Sequence, residues 1–300
     1  MEIHQLRYLV AVADELSFTR AAARLHVSQS GVSAQVQQLE RELGLELFDR
    51  AGRRVRLTGA GEVVVPRARA ALSAIQHVKH GADEVLGLVR GRVRVGAVTG
   101  LTWPPFFDAI AAVHDVHPGL EVELVEGTSS ALAESVREGR LDAAVVAWSG
   151  PLQGQLGRHV VVEEELVAVV APSHPLAGRR SLDAGALAEH DVIALAPGTG
   201  ARSGLERFLA DAGVRVVPRW EVANPVSVRL LVERGLGVGI LSSSTVDAPD
   251  DLVRIRLAGP AILSNLGLVW RERPQPSVAA YAVIDAVRSR DVEDRDGSTG

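Results

Sequence analysis

The apolar positions of the first 60 residues repeat with the period of short α-helices. One helix is predicted over residues 3–15, and an alanine-rich one over residues 18–25. A third is predicted from Ser28 to about Leu43, because apolar residues recur there at every third or fourth position. The apolar residues of this third stripe are Val32, Val36, Leu39 and Leu43. The pattern therefore predicts a small helical domain in which the second and third helices are joined by a tight turn.

An arginine-rich segment follows the three helices and predicts a β-hairpin. Arg50, Arg53, Arg54 and Arg56 fall around Gly52. Three helices followed by such a hairpin form a winged helix-turn-helix, whose second motif helix fits the major groove of DNA. This layout predicts double-stranded DNA as a partner.

The longest helical pattern starts after Thr58 and continues to about Leu88. At the rise of an α-helix it is roughly 45 Å long. Nothing in the predicted N-terminal domain could cover it over that length, so a partner helix and hence a dimer are predicted. The alternative is a rigid spacer in a monomer.

From residue 92 the apolar pattern changes to strands that alternate with helices, for example at 92–98 and 121–125. Such alternation predicts a mostly parallel sheet covered by helices, here as two lobes around a hinged cleft. The overall fold class is α/β, with an all-α-rich winged helix-turn-helix at the N-terminus. The predicted boundaries are 1–58 for the DNA-binding domain, 59–89 for the linker and dimerisation helix, 90–290 for the effector-binding domain, about 90–162 and 267–290 for lobe I, about 163–266 for lobe II, and 291–300 for a disordered tail.

The net charge of −5 conceals an asymmetry between the two parts of the chain. Residues 1–90 hold 12 Lys and Arg against 10 Asp and Glu, whereas residues 91–300 hold 20 against 27. The chain has no cysteine, which excludes disulfides, thiolate metal sites and thiol redox sensing. Neither a signal-peptide pattern nor an apolar run of about 18 residues is present, so a cytoplasmic location without a membrane partner is expected.

Residues 1–65 carry sequence motifs in a characteristic order. These motifs are LRYL at 6–9, SFTRAAARL at 17–25, VSQS at 27–30, LERELG at 39–44, LFDR at 47–50 and LTGAG at 57–61. In these motifs the segment resembles the N-terminal domain of LysR-type transcriptional regulators. Looser similarity to the effector domain of that family continues at GRLD 139–142, SHPL 173–176 and LLVERGLGVG 230–239.

The resemblance implies a homodimer or homotetramer without a cofactor. Its effector domain is expected to fold like a type 2 periplasmic binding protein, and RNA polymerase is a candidate partner. Two positions depart from the family pattern. Ala34 stands where a basic residue is common, and the serines 242–244 stand where a proline usually follows a strand.

Several polar residues at the start of the third helix are candidates for reading DNA. The Gln29 amide can pair with the N6 and N7 atoms of adenine, although it could also be simply solvated. Ser28, Ser30 and Ser33 are small and can hydrogen-bond to phosphate or bases. For Ser28, a helix-capping role is an equally good hypothesis.

Further DNA contacts are predicted at the flanks of this helix. Thr19 and Gln35 are candidate phosphate contacts, with plain solvent exposure as the alternative. The wing arginines are expected to meet phosphates or the minor groove. Arg50 is an exception, because it could instead pair with Glu46 or Asp49.

Ligands of open α/β sheets bind beyond the carboxyl ends of strands, where helices begin. This rule predicts an effector site from hydroxyls and backbone amides, a set suited to a carboxylate or a phosphate. The candidates are Thr99, Gly100, Thr102, Thr128, Ser129, Trp148, Ser149, Thr199, Asn224 and Ser227. Taken singly, each hydroxyl is more often a helix cap. Arg202 is the predicted partner of an anionic effector.

No sequence pattern indicates a catalytic or metal site. The glycines at 235, 237 and 239 lack the spacing of a dinucleotide loop, and the nine histidines are scattered. No metal and no enzymatic activity are therefore predicted. The alternative function is a solute-binding or enzymatic two-lobed α/β protein whose N-terminal helices serve only for assembly.

Overall fold

The computed structural model describes residues 1–50, 55–85, 90–152, 154–246, 252–273 and 275–297. The chain divides into two compact units, one that comprises Met1–Leu88 with Glu138–Arg140 and one that comprises Val89–Arg137 and Leu141–Gly300.

The N-terminal unit is a helical domain with a two-stranded hairpin and one long helix. Its elements are α1 (Ile3–Glu15), α2 (Phe18–Leu25), α3 (Gln29–Leu43), β1 (Phe48–Asp49), β2 (Arg56–Leu57) and α4 (Gly59–Val85). The core contains Leu9, Val32, Val36 and Leu39, which have no exposed surface. The three predicted helices are confirmed, and Val32, Val36 and Leu39 of the predicted stripe are buried, whereas Leu43 at the end of α3 is 39% exposed.

Polar side chains and a glycine fix where these helices begin and end. The Ser17 hydroxyl accepts a hydrogen bond from the Arg20 amide, and the Ser28 hydroxyl accepts one from the Gly31 amide at 3.1 Å. The helix α3 ends at Gly44, whose φ of 68° is in the left-handed region that glycine tolerates best.

The C-terminal unit alternates strands and helices along the chain. Its first half contains β3 (Gly91–Val98), α5 (Pro104–Val116), β4 (Leu120–Gly127), α6 (Ser129–Arg137), β5 (Ala143–Ser149) and β6 (Leu156–Val170). Its second half contains β7 (Ser181–Leu182), α7 (Ala184–Ala188), β8 (Val192–Leu195), α8 (Gly200–Asp211), β9 (Trp220–Val222), α9 (Pro225–Glu233), β10 (Val238–Ser242), a short 3-10 helix (Ser243–Val246), β11 (Val253–Leu257), β12 (Leu263–Arg271) and α10 (Val278–Gly297).

The strands follow the order β4-β3-β5-β12-β6-β10-β8-β9, and β11 with β7 attaches to β6. Parallel pairs join β3 to β4 and β5, and β8 to β9 and β10, whereas β12 and β10 run antiparallel to β6. The strand β6 belongs to both lobes, because residues 156–165 pair with β12 and residues 166–169 pair with β10.

Each lobe has a core of its own. In lobe I, α5 and α10 cover one face of the sheet through residues such as Phe106 and Val283, and α6 covers the other face through Val136. In lobe II, Ile193 and Ile240 lie in the centre of the core. Burial on both faces explains why β5, β8 and β10 are nearly continuous apolar runs.

The helix α10 is longer than the sequence predicts. It continues to Gly297, so the expected disordered tail is wrong for residues 291–297. Asp291, which is 3% exposed, lies 2.8 Å from the Nε2 atom of His159 on β6. This long-range contact holds the last turns of the helix to lobe I.

Among the helices that the structure describes, none combines the length and apolarity needed to cross a bilayer.

Candidate functional site

The start of α3 presents small, uncharged polar side chains to solvent. Ser28, Gln29, Ser30 and Ala34 are exposed, and Ser33 is half-buried. On the opposite face Val32, Val36 and Leu39 have no exposed surface, so the orientation of the helix is fixed. Such a surface can approach a groove closely and offers hydrogen-bonding groups to base edges or phosphates.

Ser28 caps α3, which is one of the two roles that the sequence predicts for it. Its oxygen accepts hydrogen bonds from the Gly31 amide and, at 3.3 Å, from the Ser30 hydroxyl. These bonds satisfy an otherwise unpaired amide of the first turn. The Ser28 hydroxyl proton is still available to a phosphate.

The two flanking candidates differ in how accessible they are. Thr19 is exposed in the first turn of α2. The side-chain oxygen of Gln35 instead lies 3.2 Å from the Gln5 amide nitrogen and 3.0 Å from the His4 Nε2 atom. Gln35 therefore ties α3 to α1, which is a structural role that the sequence pattern does not indicate.

The wing hairpin pairs Phe48 with Leu57 and Asp49 with Arg56. The Arg56 side chain is exposed, as expected for a phosphate contact. The predicted contacts Arg53 and Arg54 lie outside the described residues.

Arg50 is engaged within the domain. Its Nη2 atom lies 2.6 Å from the Glu40 carboxylate, and its guanidinium lies 4.9 Å from the centre of the Phe18 ring. The expectation of an internal partner is confirmed, and the partner that the structure shows is Glu40, which the sequence pattern does not indicate beside Glu46 and Asp49. Glu40 on α3 is distant in sequence but faces the base of the hairpin.

The C-terminal unit contains a cavity of about 310 Å³ at the ends of β3, β4 and β8. Helices α5, α6, α8 and α9 begin at its wall. Six of the predicted effector residues line it together. They are Thr99, Gly100, Thr102, Thr128, Ser129 and Thr199.

The other predicted effector residues do not line this cavity. Trp148 and Ser149 line a neighbouring, more open one. The Asn224 side chain accepts a hydrogen bond from the Val226 amide at 2.9 Å and so caps α9. Ser227 follows in the first turn of α9 and is not part of either lining.

Arg202, the predicted partner of an anionic effector, is turned away from the cavity. Its Nε atom lies 2.8 Å from Glu206, and its Nη1 atom lies 3.2 Å from Glu221 and 3.3 Å from the carbonyl oxygen of Leu195. Because two carboxylates already neutralise this guanidinium, the expectation of an anionic effector loses its main support.

Sequence reasoning missed the wall contributed by β6, β10 and β12. That wall includes Val162, Glu164, Leu241, Ser242, Ser244, Thr245, Ser264 and Leu266. The available signal was the serine run at 242–244, which directly follows a buried strand. The rule that ligands bind beyond the carboxyl ends of strands applies to β10 as well and selects this run.

Glu164 is fixed in this wall by the short 3-10 helix. Its carboxylate accepts hydrogen bonds from the Ser243 hydroxyl at 2.9 Å, the Ser244 hydroxyl at 2.8 Å and the Ser244 amide. The described lining of the cavity thus combines hydroxyls, apolar side chains and one carboxylate. Within the part of the chain that the structure describes, no group of three or more His, Asp or Glu is arranged to hold a metal.

Two family models together match almost the whole chain. Residues 3–62 match the bacterial regulatory helix-turn-helix protein of the lysR family, and residues 86–291 match the LysR substrate binding domain. The two matches correspond to the helical unit with its wing and to the two-lobed unit with its cavity.

Two similar proteins match this chain over nearly the whole length of both partners. The RuBisCO operon transcriptional regulator of Allochromatium vinosum is 31% identical in an alignment of 299 positions that covers 96% of each chain. The HTH-type transcriptional regulator ShiR of Corynebacterium glutamicum (strain R) is 32% identical in an alignment of 292 positions that covers 95% of this chain and 97% of that one.

A solved structure shows the same fold. A full-length OxyR variant from Pseudomonas aeruginosa is 28% identical, with a TM-score of 0.70 over 96% of this chain and 95% of that one. The family consists of transcriptional regulators and is not an enzyme family. The chain therefore belongs to the LysR family of DNA-binding transcriptional regulators, with a helix-turn-helix domain followed by an effector-binding domain.

Proposed function

We propose that this regulator recognises a specific operator through α3 and the wing, and that a small molecule in the 310 Å³ cavity switches its activity. The observation that carries the proposal is the exposed, uncharged start of α3, on a helix that is anchored by the fully buried Val32, Val36 and Leu39. A rigid helix with Gln29 at its tip is suited to reading base edges.

The DNA contacts are proposed with distinct roles. Gln29 reads a base, and Ser30 and Ser33 contact bases or phosphates from the same face of α3. Positioning contacts to phosphate come from Thr19, Ser28, Gln35, Arg53, Arg54 and Arg56. Arg50 acts mainly by holding the wing against α3 through Glu40.

The effector is proposed to bind among the six predicted residues that line the cavity, beside Glu164. Because the chain has no cysteine, its signal is the binding of a molecule and not the oxidation of a thiol. Closure or opening of the two lobes around the bound molecule would then alter the affinity for DNA.

The proposed assembly is a homodimer or homotetramer, with 1–58 as the DNA-binding domain, 59–89 as the dimerisation helix and 90–290 as the effector-binding domain. Support comes from α4, where Val63 is 52% exposed and Val78 is 75% exposed. Exposed valines along a 27-residue helix favour a partner helix.

The test selects binding sites for the full-length protein from random double-stranded DNA and measures affinity for the selected site at rising salt. If the three proposed wing arginines of each protomer neutralise six phosphates in a dimer, affinity should fall by roughly a thousandfold between 50 and 200 mM salt. A scrambled duplex of the same composition is the control. Failure to enrich any sequence would contradict operator recognition, and binding that ignores salt would contradict the wing contacts.

A further inference from the structure

We infer that the effector of this regulator is an uncharged, mainly apolar small molecule, and not a carboxylate or a phosphate. The inference rests on the proposed function, because it takes the 310 Å³ cavity as the effector site. It follows from the charges, the amide groups and the side chains that the described wall presents to a ligand.

The charge of the cavity wall opposes an anion. Among the described lining residues, Glu164 is the only ionisable one, and no lysine, arginine or histidine lines the cavity. Arg202 is 13% exposed and is held between Glu206 and Glu221 outside the lining. A bound anion would therefore lack a cationic partner and would lie near a carboxylate, and burial of an unpaired charge is costly.

Helix starts usually compensate for the lack of a cation, because their free amides bind anions. Two of the helices that begin at this cavity start with proline, which has no amide proton. The helix α5 begins with Pro104 and Pro105, and α9 begins with Pro225. The next amide of α9, that of Val226, already donates to the Asn224 side chain at 2.9 Å.

The other two helix starts have used several of their amides within the protein. In α6, the Ser130 amide donates to the Gly198 carbonyl oxygen at 2.9 Å. In α8, the Arg202 amide donates to the Thr199 hydroxyl at 3.4 Å, and the Ser203 amide donates to the Thr199 carbonyl at 3.1 Å. These bonds leave fewer amides at the positive helix ends for a ligand anion.

The side chains that are available suit a neutral molecule. Apolar walls come from Leu101, Trp103, Val162, Leu195, Leu241 and Leu266. Between them, hydroxyls such as those of Thr99, Thr102 and Thr128 can each donate or accept a hydrogen bond. A volume of about 310 Å³ is at the small end of ligand pockets.

Glu164 does not favour a cation strongly enough to change this assignment. Both of its oxygens already accept hydrogen bonds from Ser243 and Ser244. A ligand ammonium group would have to compete with these donors and lose part of its own hydration. A neutral hydroxyl, carbonyl or amide group avoids that cost.

The test compares fragments that share an apolar ring and carry an anionic, a neutral or a cationic head group. Benzoate, benzamide and benzylamine, and the three cyclohexane counterparts, are titrated into the full-length protein by ligand-observed NMR. Ala223→Trp is the blocking variant, since Ala223 is an exposed lining residue and a bulky ring there fills the mouth of the cavity. Thermal melting and DNA binding of Ala223→Trp verify that it is folded.

We expect the amides to bind at least about tenfold more tightly than the carboxylates, and Ala223→Trp to abolish that binding. A second pair of variants tests the cause. Thr102 is exposed in the lining, so Thr102→Arg should raise carboxylate affinity by about tenfold or more, whereas Thr102→Gln should not.

Two outcomes would overturn the inference while leaving the effector site in place. One is carboxylate binding that equals or exceeds amide binding and is lost in Ala223→Trp, and the other is tightest binding by the amines. If no fragment of any charge shows binding that depends on Ala223, the cavity is not the effector site, and that part of the proposed function fails as well. Operator binding by the unliganded protein would be unaffected by this last result.

Discussion

Glu40 is the residue that organises the wing of the DNA-binding domain. One carboxylate oxygen accepts hydrogen bonds from the amides of Leu47 at 2.9 Å and Phe48 at 3.2 Å, while the other pairs with Arg50. Because the Glu40 side chain is only 11% exposed, these charge-assisted bonds are largely shielded from water. Glu40 therefore fixes the path of the chain from α3 into the hairpin.

Gln29 provides the sharpest test of base reading. Replacement by alanine removes the exposed amide at the start of α3, so discrimination at one base pair of the operator should fall by roughly 1–3 kcal/mol. Binding to a set of single-base operator variants at constant salt measures the effect. Gln38→Ala, at an exposed position further along the same helix, is the control and should leave the preference unchanged. Equal weakening on every variant would make Gln29 a positioning contact.

His174 links stability to pH. Burial, and secondarily the neighbouring His190, lower the pKa of His174 below its ordinary value of 6.5. Its Nδ1 atom accepts a hydrogen bond from the Leu176 amide at 3.2 Å, which requires that nitrogen to be unprotonated. The unfolded chain therefore binds a proton more readily, and stability should decrease as the pH falls through about 6.5.

Thermal melting of the full chain on either side of that pH measures the effect. His174→Gln should show a smaller loss of melting temperature on acidification than the wild type. His114→Gln, at an exposed position, serves as the control and should follow the wild type. If His174→Gln and wild type lose the same melting temperature, the pH dependence arises elsewhere.

At the residue scale, the sequence predicts which polar groups lie at strand ends but not which of them are already paired. Thr99 and Thr128 line the cavity as expected. Arg202 does not, because Glu206 one turn later and Glu221 on β9 compete for its guanidinium. Such pairing depends on side chains that the tertiary fold brings together, and the positions of strand ends in the sequence do not reveal these pairs.

At the scale of elements, the N-terminus of α3 must both cap the helix and fit against the DNA. Ser28→Ala removes the cap of the Gly31 amide and should cost about 1 kcal/mol of stability. Ser28→Asp keeps an excellent cap but adds a negative charge at a surface proposed to face phosphate. The aspartate variant should therefore match the wild type in thermal melting and yet lose affinity for the operator about tenfold or more.

The matched pair separates the two roles of Ser28. Thermal melting reports the cap, and a DNA shift assay reports the contact. A Ser28→Asp variant that binds the operator as tightly as the wild type would show that this position does not approach the phosphates. Ser28→Asn, a neutral cap of similar quality, controls for side-chain size.

Elements whose signal is local are predictable, whereas those set by distant contacts are not. The helices α1 to α3 follow from apolar periodicity and capping residues within a few positions. The length of β6 is set by a distant partner, because this strand spans Leu156–Val170 and β12 pairs with its polar first half. The end of α10 likewise depends on His159, which lies 132 residues earlier in the chain than its partner.

At the scale of the whole molecule, the cavity exists because widely separated segments share one sheet edge. Residues from β3, β4, β6, β8, β10 and β12 contribute to its wall. The alternation of strands and helices predicts that strand ends converge, and this much follows from the sequence. The charge of this site cannot be predicted in the same way, because Glu164 comes from a strand that passes between the lobes and does not end at the cavity.

Assembly is the property of the whole molecule that α4 is proposed to control. Val78 is 75% exposed on this helix, and an apolar side chain so placed is expected to lie against a second copy. Val78→Asp would place a charge in that contact and should shift the protein toward the monomer in sedimentation measurements. A monomer engages one half-site of an operator at a time, so its affinity for a two-half-site duplex should fall by roughly a hundredfold or more through lost avidity. Val217→Asp makes the same substitution at a valine that is 88% exposed outside α4, and it should change neither property. An unchanged sedimentation coefficient for Val78→Asp would instead favour α4 as a spacer, the alternative that its length alone leaves open.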